Sequence, residues 1–164
     1  MAAKIRTGNR QKITPFLWFD ANAEEAVTFY TSIFKNSKIG NVTRYEKGTP
    51  GPEGSVMTVS FELDGQKFVA LNGGPAFKFT EAVSFVVNCD SQQEIDFFWK
   101  KLSKGGQLLE CGWLKDKFGL AWQIVPAILW EWFKDPAKTG RVLQAVMKMK
   151  KLDIKKLERA ARGT

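Results

Sequence analysis

The 164-residue sequence contains no histidine. Imidazole is the commonest metal ligand and the one side chain whose ordinary pKa lies near neutrality, so the usual divalent-metal centres and histidine general bases are excluded at once. Cysteine is nearly absent. Cys89 and Cys111 are too few for a disulfide framework and too far apart for a thiolate metal site, and each reads first as a small, partly buried apolar residue. No apolar run approaches the roughly 18 residues of a bilayer span, and the opening MAAKIRTGNRQK is basic with no hydrophobic segment behind it. The expectation is a cytoplasmic protein with no membrane partner.

What is present is ample material for a core, 44% hydrophobic residues and 13% aromatics in a chain the length of one domain. The net charge of +8 changes meaning once it is divided along the chain. Residues 1–12 carry four basic and no acidic residues, residues 13–133 carry 11 basic and 14 acidic, and residues 134–164 carry 10 basic and 3 acidic. The basic tail has no aromatic platform between its lysines and no nucleic-acid motif, so a solvated helical face is expected there and nucleic acid is not.

An ungapped repeat at an offset of 69 residues organises the chain: ITPFLWFDANAEEAVTFYTSIFK (13–35) against AVSFVVNCDSQQEIDFFWKKLSK (82–104). Both copies open with β-branched and aromatic residues. Both then present capping-box spacing, Asn22 with Glu25 and Ser91 with Glu94. Ala26, Phe29, Tyr30 and Ile33 fall at i, i+3, i+4, i+7, as do Ile95, Phe98, Trp99 and Leu102, which predicts two helices with one apolar stripe each. Strands are predicted near 38–46, 55–63 and 66–72, with Asp64-Gly65 as a tight hairpin, and again near 107–110, 111–115 and 120–125. The order strand, helix, three strands occurs twice. Behind it, Val142, Val146 and Met149 mark an amphipathic helix, and Asp153 caps another with Leu152 stapled to Leu157. The expected organisation is a flexible basic N-terminus (1–12), a domain over 13–133 with modules at about 13–73 and 82–126, and a basic helical extension of that domain over 134–164.

This duplicated module, with the strings ITPFLWFDANAEEAVTFY, CGWLKDKFGLAWQIVP and MKMKKLDIKKLERA, resembles the PhnB-like branch of the vicinal oxygen chelate superfamily, the glyoxalase, bleomycin-resistance and dioxygenase group. Members of the branch are described as 3-demethylubiquinone 3-methyltransferase-like. The resemblance implies an α+β fold in which two βαβββ modules form a curved mixed sheet around a cavity, followed by C-terminal helices. It also implies a homodimer. Metal-dependent relatives place two histidines and a glutamate in the cavity; those positions fall here on Ile13, Ala82 and Gln123, two hydrocarbons and a neutral amide, which suit no hard divalent ion. No metal and no cofactor is therefore expected. Transfer from S-adenosylmethionine normally uses a glycine-rich turn after the first strand of a doubly wound sheet, and Asp20-Ala21-Asn22 has no glycine.

Strand alternation, taken from the former ligand positions, puts Ile13, Pro15 and Leu17, then Ala82, Ser84 and Val86, then Ala121, Gln123 and Val125 on the cavity face. Phe16, Trp18, Phe85 and Val87 are left to pack on the helices. Gln123, Ser84, Trp113 and Cys111 are the ligand-binding candidates, and a small apolar or aromatic ligand oriented by a few hydrogen bonds is the expected partner. The catalytic residues, if any, are unknown. The first reading is a metal-independent small-molecule-binding protein. The alternatives are an enzyme with a relocated site using Gln123 with Asp116, Glu110 or Cys111, and a basic-tail nucleic-acid binder.

Overall fold

The computed structural model describes residues 11–164, so the basic stretch 1–12 lies outside the described residues except for its last two positions. The chain divides into two compact units, Met1–Lys78 and Phe79–Thr164. In the first, β1 (Phe16–Phe19), α1 (Ala23–Ile33), β2 (Lys38–Arg44), β3 (Val56–Leu63) and β4 (Gln66–Asn72) follow in order. The sheet runs β1-β4-β3-β2, with β1 parallel to β4 and the other pairs antiparallel. The second unit repeats the plan with β5 (Ser84–Cys89), α2 (Gln92–Leu102), β6 (Gln107–Leu108), β7 (Trp113–Lys115) and β8 (Ala121–Pro126), in the order β5-β8-β7-β6. The α+β class and the doubled βαβββ module are as expected from the sequence.

Local chemistry explains the turns. Asp64 (φ 45°) and Gly65 (φ 80°) both occupy the left-handed region, the pair of conformations that a two-residue hairpin needs to match the twist of β3 and β4. The corresponding turn between β7 and β8 is longer and is built around Asp116. Its carboxylate accepts from the Phe118 and Leu120 amides at 2.8 and 3.1 Å and from the Trp122 indole at 2.9 Å. Asp116 is 3% exposed. A turn carboxylate is ordinarily expected in solvent; this one is enclosed because it satisfies backbone and indole donors inside the fold.

The helix starts also differ from expectation in one copy. Ser91 accepts from the Glu94 amide at 3.2 Å and the Glu94 carboxylate from the Asp90 amide at 2.8 Å, a capping arrangement close to the predicted one. Asn22 makes no side-chain cap. The first amide of α1, on Ala23, donates instead to Asn72 Oδ1 on β4 at 2.8 Å, and Asn72 Nδ2 donates to Glu24 at 2.7 Å. A strand residue 49 positions away performs the cap, which no local motif announces.

The predicted face of β1 is wrong, and the reason is one residue. Leu17 and Phe19 are buried at 6% and 3% while Phe16 is 57% exposed, so Leu17 and Phe19, not Phe16 and Trp18, turn to α1. Three residues, Asp20 to Asn22, separate β1 from α1, whereas Asp90 and Ser91 alone separate β5 from α2. The helices repeat at 69, with Ala26 and Ile33 matching Ile95 and Leu102; the strands repeat at 70, with Leu17 and Phe19 matching Val87 and Cys89. A one-residue offset reverses every side chain of a strand. In β5 the predicted face is correct: Val87 and Cys89 are buried, and Phe85 packs on Trp122 at 5.7 Å.

Beyond β8 come α3 (Leu129–Phe133), which the sequence did not suggest, α4 (Pro136–Val146) and α5 (Ile154–Arg162). Asp135 caps α4 through the Ala137 amide, and Asp153 caps α5 through the Lys156 amide as predicted. Val142, Val146, Leu152, Leu157 and Ala161 close over Val125 and Leu129 in one cluster of the second unit. The apolar stripe of α4 is thus consumed within the chain. Several tail cations are paired at the surface, Lys134 with Glu131, Lys138 with Asp135, Lys150 with Glu110 and Lys151 with Asp96.

Candidate functional site

The face of the second sheet turned away from α2 can be read row by row from its register. Ser84 lies beside Ala121, and Ala121 beside Lys115. In the next row Val86 lies beside Gln123, and Gln123 beside Trp113. In the third, Asn88 lies beside Val125. Rows on one face are about 7 Å apart along a strand and neighbours in a row about 5 Å apart. Three of the four sequence candidates therefore converge: Ser84, Gln123 and Trp113 share this face, all of them half-buried.

Gln123 Nε2 donates to Ser84 Oγ at 2.9 Å. The hydroxyl, having accepted from the amide, keeps its own proton for another acceptor, and Gln123 Oε1 remains an acceptor. Val86, 39% exposed, and Trp113 supply hydrocarbon and a π-surface on either side. Lys115 closes one end of the face and is ion-paired with Glu81, whose carboxyl is held below its ordinary range chiefly by the hydrogen bond from that ammonium. At the other end Val125 is covered by the C-terminal cluster, and the Trp130 indole of α3 donates to Asn88 Oδ1 at 2.6 Å. Lys115 and Trp130 were not among the sequence candidates. Alternation from Trp113 was enough to find Lys115, but nothing local in the sequence links Trp130 to Asn88.

Cys111 does not join this group. It sits in a tight turn at φ +63°, packs against the C-terminal cluster, and donates its amide to Met149 O at 2.7 Å. Next to it Gly112 (φ +82°) donates to Lys150 O at 2.7 Å, and an added Cβ there would meet Ile124 O at 2.9 Å. The predicted strand over 111–115 consequently begins only at Trp113. The other thiol, Cys89, is buried, and that burial, reinforced by the Glu94 and Asp90 carboxylates, pushes its pKa up to about 12. Glu110 is exposed and lies 3.7 Å from Lys150. Of the residues named for a relocated site, Asp116 accepts from three donors inside its turn and Cys111 packs on the C-terminal cluster.

The former metal positions do not form a donor set. Ile13 precedes β1 and is 85% exposed, Ala82 lies in the turn before β5, and Gln123 is a neutral amide. Among the described residues no three His, Cys, Asp or Glu side chains are grouped to hold a metal ion. An S-adenosylmethionine site fits no better. The sheets are not doubly wound, and the glycine pair after β4 serves the protein itself: a Cβ on Gly73 would meet the Trp18 ring at 2.4 Å, and Trp18 Nε1 donates to Gly74 O at 2.8 Å.

Residues 11–125 match the family described as 3-demethylubiquinone-9 3-methyltransferase. The PhnB protein of Bacillus cereus is 41% identical, over 71% of this chain and 100% of its own, with a TM-score of 0.66. Protein PA1353 of Pseudomonas aeruginosa (22% identity, 70% of this chain and 96% of its own, TM-score 0.58) shares the fold. So does the fosfomycin resistance protein FosX of Listeria monocytogenes (15%, 76% and 97%, TM-score 0.54), which has also been crystallised with manganese(II) and sulfate. No match was found among curated proteins. None of the comparisons points to nucleic acid, and no helix among the described residues is long and apolar enough to cross a membrane. On the repeated module, the matched span and the identity to the Bacillus protein, the chain belongs to the 3-demethylubiquinone-9 3-methyltransferase (PhnB-like) family of the vicinal oxygen chelate superfamily.

Proposed function

We propose that the protein is a metal-independent small-molecule-binding protein of the cytoplasm, a homodimer, that takes a small apolar or aromatic ligand on the face formed by Ser84, Gln123 and Trp113. The observation that carries the reading is the Gln123–Ser84 hydrogen bond: at the heart of this face stands a neutral amide–hydroxyl pair flanked by Val86 and Trp113. Such a pair orients a ligand by hydrogen bonding but supplies neither charge nor multidentate geometry to a divalent ion. The fold relative that binds manganese(II) marks the contrast in chemistry, since this chain has no histidine to offer. A methyl transfer is not part of the proposal, because the glycine pair is filled by Trp18.

The test is elemental analysis of protein purified without chelator, together with a titration by manganese(II) and zinc(II). No stoichiometric ion, and no change in thermal stability on adding either, is the expected result. One tightly held ion per chain overturns the reading. Light scattering of the full chain decides the dimer, and a monomeric species at micromolar concentration removes that part of the proposal.

A further inference from the structure

The same face is polar at one end and apolar at the other, which constrains the ligand beyond its size. At the Ser84 end stands the Lys115 ammonium, with three donors of which Glu81 takes one. Ser84 directs no proton at Gln123, because it accepts from that amide. Two donors of different kinds therefore flank Ala121, in a row with each other. One row along, Trp113 and Val86 offer an aromatic face and a methyl surface on either side of Gln123. A further row along, the C-terminal cluster covers Val125, and Trp130, held by Asn88, bounds the space with a second indole. This end wall lies beyond residue 125, where the family match stops.

Resting on the reading above, we propose that this face takes a flat aromatic carboxylate, its ring alongside Trp113 and its carboxylate at the Lys115 ammonium and the Ser84 hydroxyl. A carboxylate accepts from both donors at once, charge-assisted hydrogen bonds to an ammonium are the stronger kind, and an indole face suits a planar ring. Glu81 is the internal competitor for Lys115. An aromatic amine meets that ammonium as a like charge, and an aromatic alcohol forgoes the ionic contact.

The experiment uses the full-length protein and three matched probes, 1-naphthoic acid, 1-naphthalenemethanol and 1-naphthylmethylamine, titrated by calorimetry at neutral pH, with the Gln123 side-chain amide followed by NMR. The acid is expected to bind about tenfold more tightly than the alcohol, with the amine weakest. Lys115→Met brings acid and alcohol to within about threefold of each other, Lys115→Arg retains the preference, and Glu81→Gln tightens the acid severalfold while leaving the alcohol unchanged. The Glu81 variant separates recognition from folding, since loss of a merely structural ion pair gains nothing for a ligand. An alcohol or amine that binds as tightly as the acid while shifting Gln123, or a Glu81→Gln protein with unchanged affinity for the acid, overturns the carboxylate assignment and leaves the binding face standing. Failure of all three probes to shift Gln123 overturns the binding face itself.

Discussion

The two modules share a chain plan and differ in what their sheets present. In the first, Leu17 and Phe19 turn to α1, and Tyr30, Phe61 and Phe68 stack in its core at 5.1 to 6.4 Å. Its opposite face carries Phe16 beside Val69. In the second, Val86 stands where Phe16 does and Gln123 where Val69 does, each at the same place in its parallel pair. One copy thus has a hydrocarbon, Val69, where the other has the Gln123 amide, while Ser84 has a hydroxyl counterpart in Thr14 at the same offset. The duplicated framework needs no amide at that place for its packing, since the first copy forms with Val69 there, which supports the proposal that Gln123 serves recognition.

The comparison breaks most severely if the connection between strand and helix is altered. Deleting Ala21 gives the first module the two-residue connection of the second, and β1 must then turn Leu17 and Phe19 outward or α1 must rotate. Each of those side chains contributes about 1.5–3 kcal/mol by burial, so a loss of about 4 kcal/mol is expected in urea denaturation. A variant within 1 kcal/mol of the parent shows that the connection does not set the face.

The two hairpin aspartates come next. Asp116→Ala strands three donors inside the fold and is expected to cost about 3 kcal/mol; Asp64→Ala costs about 1 kcal/mol, from the left-handed backbone alone. Equal effects by chemical denaturation contradict the difference drawn between the two turns. For the extension that only the second module carries, Val142→Ala is expected to lower stability by about 2 kcal/mol, because Val142 is fully enclosed in the cluster with Leu157 and Val125. The same change at Leu143, 46% exposed, has little effect.

The helix caps separate on a finer scale. Asn72→Ala and Ser91→Ala each remove a cap and cost about 1 kcal/mol, whereas Asn22→Ala costs less than about 0.5 kcal/mol, the reverse of what the two capping-box patterns suggest. Thermal melts of the three variants rank them. Near neutral pH the smallest effect is that of Cys89, which acts only in alkaline solution. Its folded pKa is raised from 9.0 to about 12, so the unfolded chain loses the proton first. The stability this contributes is complete below pH 9 and is lost as pH rises toward 12, about 1 kcal/mol having gone by pH 10. Cys89→Ala should flatten that part of the stability profile, and thiol titration at pH 8 should leave Cys89 unmodified until the protein unfolds.

The sequence alone determined a good deal. Apolar residues at helical spacing placed α1 and α2, Asp64-Gly65 placed the hairpin, and the 69-residue repeat gave the doubled module, because these depend on periodicity and on local backbone preference. The capping of α5 by Asp153 and the burial of Leu152 and Leu157 were legible for the same reason. The absence of histidine spoke for itself. That Ser84 and Gln123 share a face followed from alternation within each strand plus one correct anchor, whereas Trp113 and Lys115 come onto it through the β7–β8 register.

Tertiary structure decided what depends on partners distant in the chain. The face of β1 turns on a single inserted residue, and an ungapped repeat cannot show an insertion that falls between strand and helix. Asn72 caps a helix 49 residues before it, Asp116 is buried because backbone and indole donors reach it from the same turn and from β8, and Cys111 leaves the face of Ser84 and Gln123 because its turn is pinned to Met149. Trp130 reaches the same face of the sheet where its indole bonds to Asn88, beside the Val125 that the C-terminal helices cover. In each case a hydrogen bond or a buried contact between remote residues outweighs the local pattern, since a buried polar group must find its partner wherever the fold supplies one.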